Sequence, residues 1–195
     1  VSKVGGGIFY TDESSERLAR AYNDPKIRTI KIIPEQEIRV GDFLITPIPR
    51  VHAQILHLFY FLPGEVPQNA SLSFWDYHVG DTWFYLIKHP EGTIVVDQGS
   101  EPYIDKLIKH TSSVDVVIQG VANRRTDETV IDGYPKKFKP KVFIPLHFDN
   151  FFADFNDGEE TRLPGVRLEE VLEKMKKAYP TMNVSKPKYG EPITI

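Results

Sequence analysis

Apolar and polar positions alternate in short blocks along the chain, and these blocks predict strands and helices in mixed order. Residues 7–23 predict a strand and then a helix that begins near Asp12 or Ser14, because acidic side chains favour the first turn of a helix. Residues 28–53 predict a second strand, a Pro-Glu turn and a strand pair hinged at Gly41-Asp42. The amino-terminal part therefore combines both kinds of element.

The central region predicts a hairpin and two buried strands. The runs 83–88 and 93–96 are rich in β-branched and aromatic residues and flank a His-Pro-Glu-Gly turn, a pattern typical of a hairpin. The runs "VDVVIQGVA" (114–122) and "KVFIPLHF" (141–148) are almost continuously apolar, as in strands buried on both faces. Hairpins and buried strands together predict a mixed sheet.

Helices, a long loop and a last strand complete the pattern. Residues 101–110 and 165–180 predict helices, and the second of them stops at Pro180. Residues 192–195 predict a closing strand. Residues 63–80, rich in Pro, Gly and Asn, form the longest loop, and loops of this length are often functional. The predicted fold class is α/β, with a mixed sheet flanked by helices.

Length and composition are those of one globular domain over residues 1–195. Hydrophobic residues make up 41% and charged residues 26%, and the net charge of −3 favours neither a nucleic acid nor an anionic membrane as partner. No apolar run approaches the ~20 residues of a membrane-spanning helix. Because the chain has no cysteine, a metal site would need His, Asp and Glu. The compartment stays open between the cytoplasm and, with an upstream signal removed, a periplasmic or secreted location.

Three polar residues stand where apolar strands end. His52 follows "FLITPIPRV", Asp97 follows "GTIVV", and His147 follows "KVFIPL". Sites collect at strand ends because loops converge there, and two imidazoles with a carboxylate suit zinc, manganese or iron. Each residue alone is more simply a cap or a turn former, since most buried polar groups are only hydrogen-bonded. Their joint order along the chain is what favours a metal site.

The segments that carry these residues are "GDFLITPIPRVHA" followed by "PGEVP", then "DTWFYLIKHPEGTIVVDQGS", "VDVVIQGVANRRT" and "KPKVFIPLHFDNFF". From Gly7 to Phe152 the chain resembles the C-terminal part of the metallo-β-lactamase superfamily, in particular its metallo-hydrolase branches akin to the ascorbate-phosphate lactonases. The resemblance implies an αββα sandwich of mixed sheets between helical layers that lacks its N-terminal strands. It also implies metal-dependent hydrolysis of an ester, lactone, amide or phosphoester in a small-molecule substrate.

The resemblance further implies a centre of two metal ions, which would be zinc or else manganese or iron. His52 would be the third histidine of the first metal, Asp97 the carboxylate that bridges to or binds the second, and His147 the last histidine of the second. A metal-activated water would be the nucleophile, which gives Asp97 a catalytic role as well. Asp81, in "VGDTW", competes for the carboxylate position. It stands before a hairpin rather than after a strand, so Asp97 fits better.

The strongest motif of the superfamily, His-x-His-x-Asp-His, is absent from this sequence, in which no two of the six histidines are two positions apart. Two interpretations follow. The chain is the C-terminal part of a longer protein whose motif lies upstream of Val1, or it is a degenerate homologue that serves as a non-catalytic binding or assembly protein. The first is favoured, and it predicts an inactive chain in isolation. An incomplete sandwich would expose a sheet edge, which predicts a complementing N-terminal segment or a homo-oligomer.

Three further residues are candidates for orienting a ligand or for contacting substrate. Asp149 can orient the imidazole of His147, since metal-bound histidines need such partners, or it can cap the following turn. His78, in the long loop, can contact substrate or be a plain loop residue. Arg124 can hold an anionic group of the substrate or form a solvated pair with Arg125.

Overall fold

Nine strands and five helices follow one another along the part of the chain that a computed structural model describes, namely residues 7–23, 27–52, 62–150, 162, 165–188 and 190–193. The strands are β1 (Ile8–Thr11), β2 (Arg28–Lys31), β3 (Ile38–Val40), β4 (Phe43–Arg50), β5 (Thr82–His89), β6 (Gly92–Asp97), β7 (Val116–Gly120), β8 (Val142–Leu146) and β9 (Asn183–Val184). The helices are α1 (Glu13–Tyr22), α2 (Ile104–Leu107), α3 (Asp127–Ile131), α4 (Tyr134–Phe138) and α5 (Leu168–Ala178), with a 3-10 turn at Phe74–Asp76. None of the helices in these ranges has the length and apolarity that crossing a bilayer requires.

The chain divides into two compact units. The first unit takes in Val1–Gln36 and Pro49–Trp83, and the second takes in Glu37–Ile48 and Phe84–Ile195. The chain passes from the first unit to the second between Gln36 and Glu37, returns to the first within strand β4, and enters the second again within strand β5. The single domain predicted over residues 1–195 stays a prediction.

In the first unit, helix α1 connects the parallel strands β1 and β2. Asp12 begins the helix, because its Oδ1 accepts a hydrogen bond from the Ser15 amide at 2.8 Å. Hydrogen bonds from Lys31 and Arg17 lower the pKa of Glu13, in the first turn, to about 2. The predicted strand and the predicted helix start near Asp12 are confirmed.

The long loop of the first unit is anchored to the start of α1. The Val66 amide donates a hydrogen bond to Ser14 Oγ at 3.0 Å, and the Asp81 amide donates one to Asp12 Oδ2 at 3.0 Å. Gly80 has a φ of +63°, and a Cβ there would lie 2.6 Å from Asp12 Oδ2. The loop therefore needs a glycine at this position to approach the helix so closely.

Seven strands form one mixed sheet in the order β3-β4-β5-β6-β7-β8-β9. The pairs β3–β4 and β5–β6 are antiparallel, and β6, β7, β8 and β9 run parallel to their neighbours. Strands β7 and β8 are almost entirely buried, as the continuous apolar runs predicted. The predicted hairpin, buried strands and mixed sheet are all confirmed.

The core of the second unit lies between the sheet and its helices. Its largest fully buried side chains include Phe84, Phe143, Leu168, Met175 and Tyr134, which belong to one contact cluster. Burying an apolar side chain of this size stabilises the fold by about 1.5–3 kcal/mol. Helix α5 contributes several of these residues, because its apolar positions recur at helical spacing.

Two details of the predicted pattern differ from the structure. Of the predicted closing strand at 192–195, the described residues Pro192 and Ile193 are not in a strand. The side chain of Ile193 instead packs against a small apolar cluster that includes Val116 and Ile144. The last strand is β9, which was not predicted because two residues carry no readable period. The apolar run 55–62 lies, except for its last residue, outside the described residues.

Candidate functional site

Asp97 ends strand β6 and is completely buried. Its Oδ1 accepts a hydrogen bond from the Gly99 amide at 2.9 Å, and its Oδ2 accepts one from the Tyr134 hydroxyl at 2.9 Å. The first bond is an Asx-turn, in which an Asp side chain binds the amide two residues further on. Burying a polar group is costly unless it is hydrogen-bonded, so these bonds help to hold the carboxylate in the interior.

The turn after Asp97 lies directly on strand β7 at Gly120. A Cβ added to Gly120 would be 1.9 Å from the carbonyl oxygen of Gln98 and 2.6 Å from its carbonyl carbon. Both are backbone atoms, so no side-chain rotation relieves the overlap. Glycine at position 120 is therefore what allows the Asp-Gln-Gly-Ser turn to fold over the end of the sheet.

Gln119 and Ser100 are further buried polar residues next to the turn after Asp97. Gln119 is the register partner of Asp97 in the parallel β6–β7 pair, so the two side chains leave the same face of the sheet. Gln119 is fully buried, and its Nε2 donates to the Ser100 carbonyl oxygen at 3.3 Å. Within the described ranges, Gln119 Oε1 and Ser100 Oγ have no hydrogen-bond partner. Buried polar atoms without partners indicate a place for a water or a ligand.

His147 follows strand β8 at the same end of the sheet. Leu146 is the register partner of Gly120, and its carbonyl oxygen accepts a hydrogen bond from the Val121 amide at 3.0 Å. His147 is the first residue beyond this ladder, is exposed, and has a φ of 53°. A left-handed backbone is uncommon for residues other than glycine, although histidine adopts it more readily than most.

Asp97 and His147 therefore both stand at the carboxyl ends of parallel strands. Strand β7 lies between β6 and β8, so two spacings of about 4.8 Å separate the strands that carry the two residues. Ligands of open α/β sheets bind outside the carboxyl ends of the strands. The structure thus brings two of the three predicted metal ligands to one edge of the sheet.

Asp149 lies two residues beyond His147, where its backbone forms an isolated antiparallel bridge with Arg162. The Arg162 guanidinium pairs with Glu169 on helix α5. The bridge fixes the backbone next to His147. The role of Asp149 in orienting the imidazole stays a prediction.

The Arg124 side chain is largely buried, which contradicts the alternative of a solvated Arg124–Arg125 pair. Its side chain is 8% exposed, its Nε donates to Asp127 Oδ1 at 2.7 Å, and its Nη1 donates to the Val121 carbonyl oxygen at 2.7 Å. The guanidinium finds these acceptors because the chain turns from β7 into α3 around it. The predicted contact of Arg124 with substrate is untested.

The Asp127 carboxylate forms ion pairs with two cationic side chains, Arg124 and Lys174. Lys174 Nζ donates to Asp127 Oδ2 at 2.7 Å, while Arg124 holds the other oxygen. Burial raises the pKa of Asp127, but the hydrogen bonds from Lys174 and Arg124 outweigh burial and hold the pKa below its ordinary value. This cluster ties the loop after β7 to helices α3 and α5.

The remaining candidates belong to the first unit. His52 is exposed and lies two residues beyond strand β4. His78 Nδ1 lies 2.8 Å from the Pro63 carbonyl oxygen, which can only accept, so Nδ1 is the donor of this hydrogen bond. Burial, followed by the nearby Asp12 carboxylate, raises the pKa of the competing Asp81. The roles predicted for His52 and His78 remain predictions.

The donor types at the sheet edge fit a divalent metal. Carboxylate and imidazole are ligands of zinc and manganese, and within the described part of the chain Gln119 Oε1 and Ser100 Oγ lack a partner beside them. Among the residues that the structure describes, no group of three or more His, Asp or Glu side chains could hold a metal by itself. Asp97 and His147 would therefore hold a metal as part of a larger ligand set.

Sequence reasoning missed Tyr134 and Gln119. Gln119 left a signal, because it is a polar residue inside an otherwise apolar strand, "VVIQGV". Tyr134 left none, since its hydroxyl reaches a residue 37 positions earlier in the chain. Such a contact depends on tertiary packing and has no local pattern.

Solved structures that are similar to this chain include the following three. The metallo-beta-lactamase fold protein YhfI from Bacillus subtilis matches with a TM-score of 0.60 and 14% identity, over 96% of this chain and 63% of that chain. Tm1679, a metal-dependent hydrolase of the beta-lactamase superfamily, matches with a TM-score of 0.54 and 11% identity, over 98% of this chain and 72% of that chain. Zn(2+)-bound PqqB from Methylobacterium extorquens matches with a TM-score of 0.50 and 12% identity, over 94% of this chain and 64% of that chain.

No protein-family model matches the chain, and no curated protein matches it significantly. The chain spans less than two thirds of the YhfI and PqqB chains, at 63% and 64% of their lengths. The similarity therefore concerns the fold, and the activities of those proteins are not transferred by it.

Proposed function

The chain has the metallo-β-lactamase fold, and from this premise we propose that it is part of a metal-dependent hydrolase to which Asp97 and His147 contribute metal ligands. The observation that carries the proposal is their common position at the carboxyl ends of the parallel strands β6 and β8. The reaction class is hydrolysis of an ester, lactone, amide or phosphoester. Zinc is the proposed metal, with manganese or iron as alternatives and two ions in the complete centre.

Each residue has a distinct task in this proposal. A bound divalent metal supplies an activated water and stabilises developing negative charge. Asp97, which is held by Gly99 and Tyr134, offers a carboxylate whose orientation is fixed before any ligand arrives. His147, an exposed residue directly after strand β8, offers an imidazole at the sheet edge.

Further ligands are required, because structural and catalytic zinc sites use three or four protein ligands. We propose that a His-x-His-x-Asp-His motif, which this sequence does not contain, supplies further ligands. The natural polypeptide, with whatever sequence flanks these residues, is therefore the material on which the proposal should be tested.

Metal analysis of the purified natural protein tests the proposal. We expect zinc, manganese or iron in stoichiometric amount, which His147→Ala and Asp97→Asn lose. His89→Ala is the matched control, because His89 lies in the same sheet and stacks on Phe43 at 4.7 Å between ring centroids. A folded, metal-free natural protein without hydrolase activity would refute the proposal.

A second candidate is a non-catalytic binding or assembly protein on the same scaffold. Two observations favour it: the sequence lacks the His-x-His-x-Asp-His motif, and the described residues contain no complete metal-binding group. The same metal analysis separates the two candidates. Retention of the fold with no metal, in the natural protein, supports this second one.

A further inference from the structure

Tyr134 connects the turn after Asp97 to helix α4. It is completely buried and stands at the first position of the helix. The preceding Gly133 packs so tightly that a Cβ there would lie 2.5 Å from Pro102 Cγ. The Tyr134 side chain is enclosed by protein, and its hydroxyl reaches Asp97, the last residue of β6.

The direction of the hydrogen bonds around this hydroxyl follows from the groups involved. The Tyr103 amide can only donate, and it lies 2.9 Å from Tyr134 Oη. A carboxylate can only accept, so the single hydroxyl proton points to Asp97 Oδ2, also at 2.9 Å. The sequence Tyr103 amide, Tyr134 hydroxyl, Asp97 carboxylate is thus a directed chain, and hydrogen bonds in such chains strengthen one another.

Asp97 is held from two sides. The Gly99 amide binds Oδ1 and the Tyr134 hydroxyl binds Oδ2, so the carboxylate is fixed in both its rotation and its plane. Side chains that hold a metal ligand in place set its orientation, and their loss typically lowers metal affinity by about 10–100-fold. None of this requires Tyr134 to touch the metal or the substrate.

We propose that Tyr134 is a positioning residue for the metal centre, which holds the carboxylate of Asp97 in the orientation that binds metal. This inference rests on the proposed function of Asp97 as a ligand. It extends that function to a residue on another element, and it predicts an effect on metal binding that is separable from stability.

The matched pair Tyr134→Phe and Tyr179→Phe tests this inference. Each variant deletes one buried or half-buried hydroxyl in the second unit. Tyr179 Oη donates to the Ile131 carbonyl oxygen at 3.1 Å. Titration of the natural protein and both variants with Co²⁺ gives an affinity and, from the visible absorption bands, a signature of the ligand geometry.

We expect Tyr134→Phe to bind Co²⁺ about 10–100-fold more weakly and with shifted absorption bands, while Tyr179→Phe matches the natural protein in both. Equal affinity and an unchanged spectrum in Tyr134→Phe would overturn the inference while leaving the proposed function intact. A natural protein that binds no Co²⁺ would overturn both. If Tyr134→Phe fails to fold, the protected hydroxyl proton of Tyr134 is followed by NMR in the natural protein. A shift of its resonance on addition of Zn²⁺ supports the inference, and an unmoved resonance contradicts it.

Discussion

Gly120→Ala tests whether the turn after Asp97 depends on the close approach of two backbones. The new Cβ would stand 1.9 Å from the Gln98 carbonyl oxygen, so the turn has to retreat by about 1.5 Å to reach an ordinary van der Waals distance. A retreat of this size also separates the Gly99 amide from Asp97 Oδ1, which are now 2.9 Å apart.

The loss in the free energy of unfolding follows from these two effects, the overlap and the broken hydrogen bond. Overpacking a well-packed interior costs about 1–3 kcal/mol, and loss of one hydrogen bond costs about 1 kcal/mol more. Replacing glycine by alanine in a strand returns about 0.5–1 kcal/mol through chain entropy. We expect a net loss of about 2 kcal/mol in the free energy of unfolding, which for a chain of this length lowers Tm by about 4–8 °C.

Thermal unfolding followed by circular dichroism measures this loss, with Gly92→Ala as the control. Gly92 lies in the neighbouring strand, and its nearest obstacle is the Asp115 carboxylate, a side-chain group, at 3.2 Å. We expect Gly92→Ala to change Tm by less than half as much. Equal Tm values for Gly120→Ala and the natural protein would refute the close packing of the turn.

Three further predictions concern single residues. Asp127→Asn leaves the largely buried Arg124 guanidinium without its counter-charge and should cost about 3 kcal/mol at neutral pH by urea unfolding. Because the pKa of Asp127 is lowered by folding, its contribution is present above its unfolded pKa of about 3.9 and is lost as the pH falls through the folded value. The Asn variant should therefore lose less stability than the natural protein between pH 5 and pH 2, and equal losses would contradict the assignment. Glu13 should titrate by NMR with a midpoint near pH 2, rising in high salt as its ion pairs are screened, whereas an ordinary glutamate midpoint would contradict the ion-pair geometry. In the metal-free state, His147→Gly should keep or raise Tm, since glycine relieves a left-handed backbone worth about 1 kcal/mol, and the variant should no longer bind metal; a lowered Tm of the metal-free variant would show a structural role instead.

The elements that could be predicted are those with a local sequence pattern, a turn or an apolar run. The turn residues between β5 and β6 and the unbroken apolar runs of β7 and β8 each carry their own signal, because they reflect chain geometry and burial over a few neighbouring residues. Strand β9 and the short helices α3 and α4 carry too few residues for a period to show.

The candidate site could be predicted only in part. Asp97 and His147 were found because a polar residue directly after an apolar run marks a strand end. Tyr134 and the close approach at Gly120 escaped prediction, since both depend on which distant segments the tertiary fold brings together. The burial of Arg124 escaped prediction because its ion pair with Asp127 lies where a loop meets the short helix α3, without a periodic pattern, and Lys174, which shares Asp127, lies 47 positions further along the chain.

We propose that Asp97 and His147 hold one metal centre at the carboxyl edge of the sheet. X-ray diffraction at the zinc absorption edge, on crystals of the natural protein grown with zinc, tests this claim most directly. We expect anomalous peaks at about 2.0–2.2 Å from an Asp97 oxygen and from a His147 ring nitrogen. Anomalous density only at other histidines, or its absence from a well-ordered sheet edge, would contradict the account.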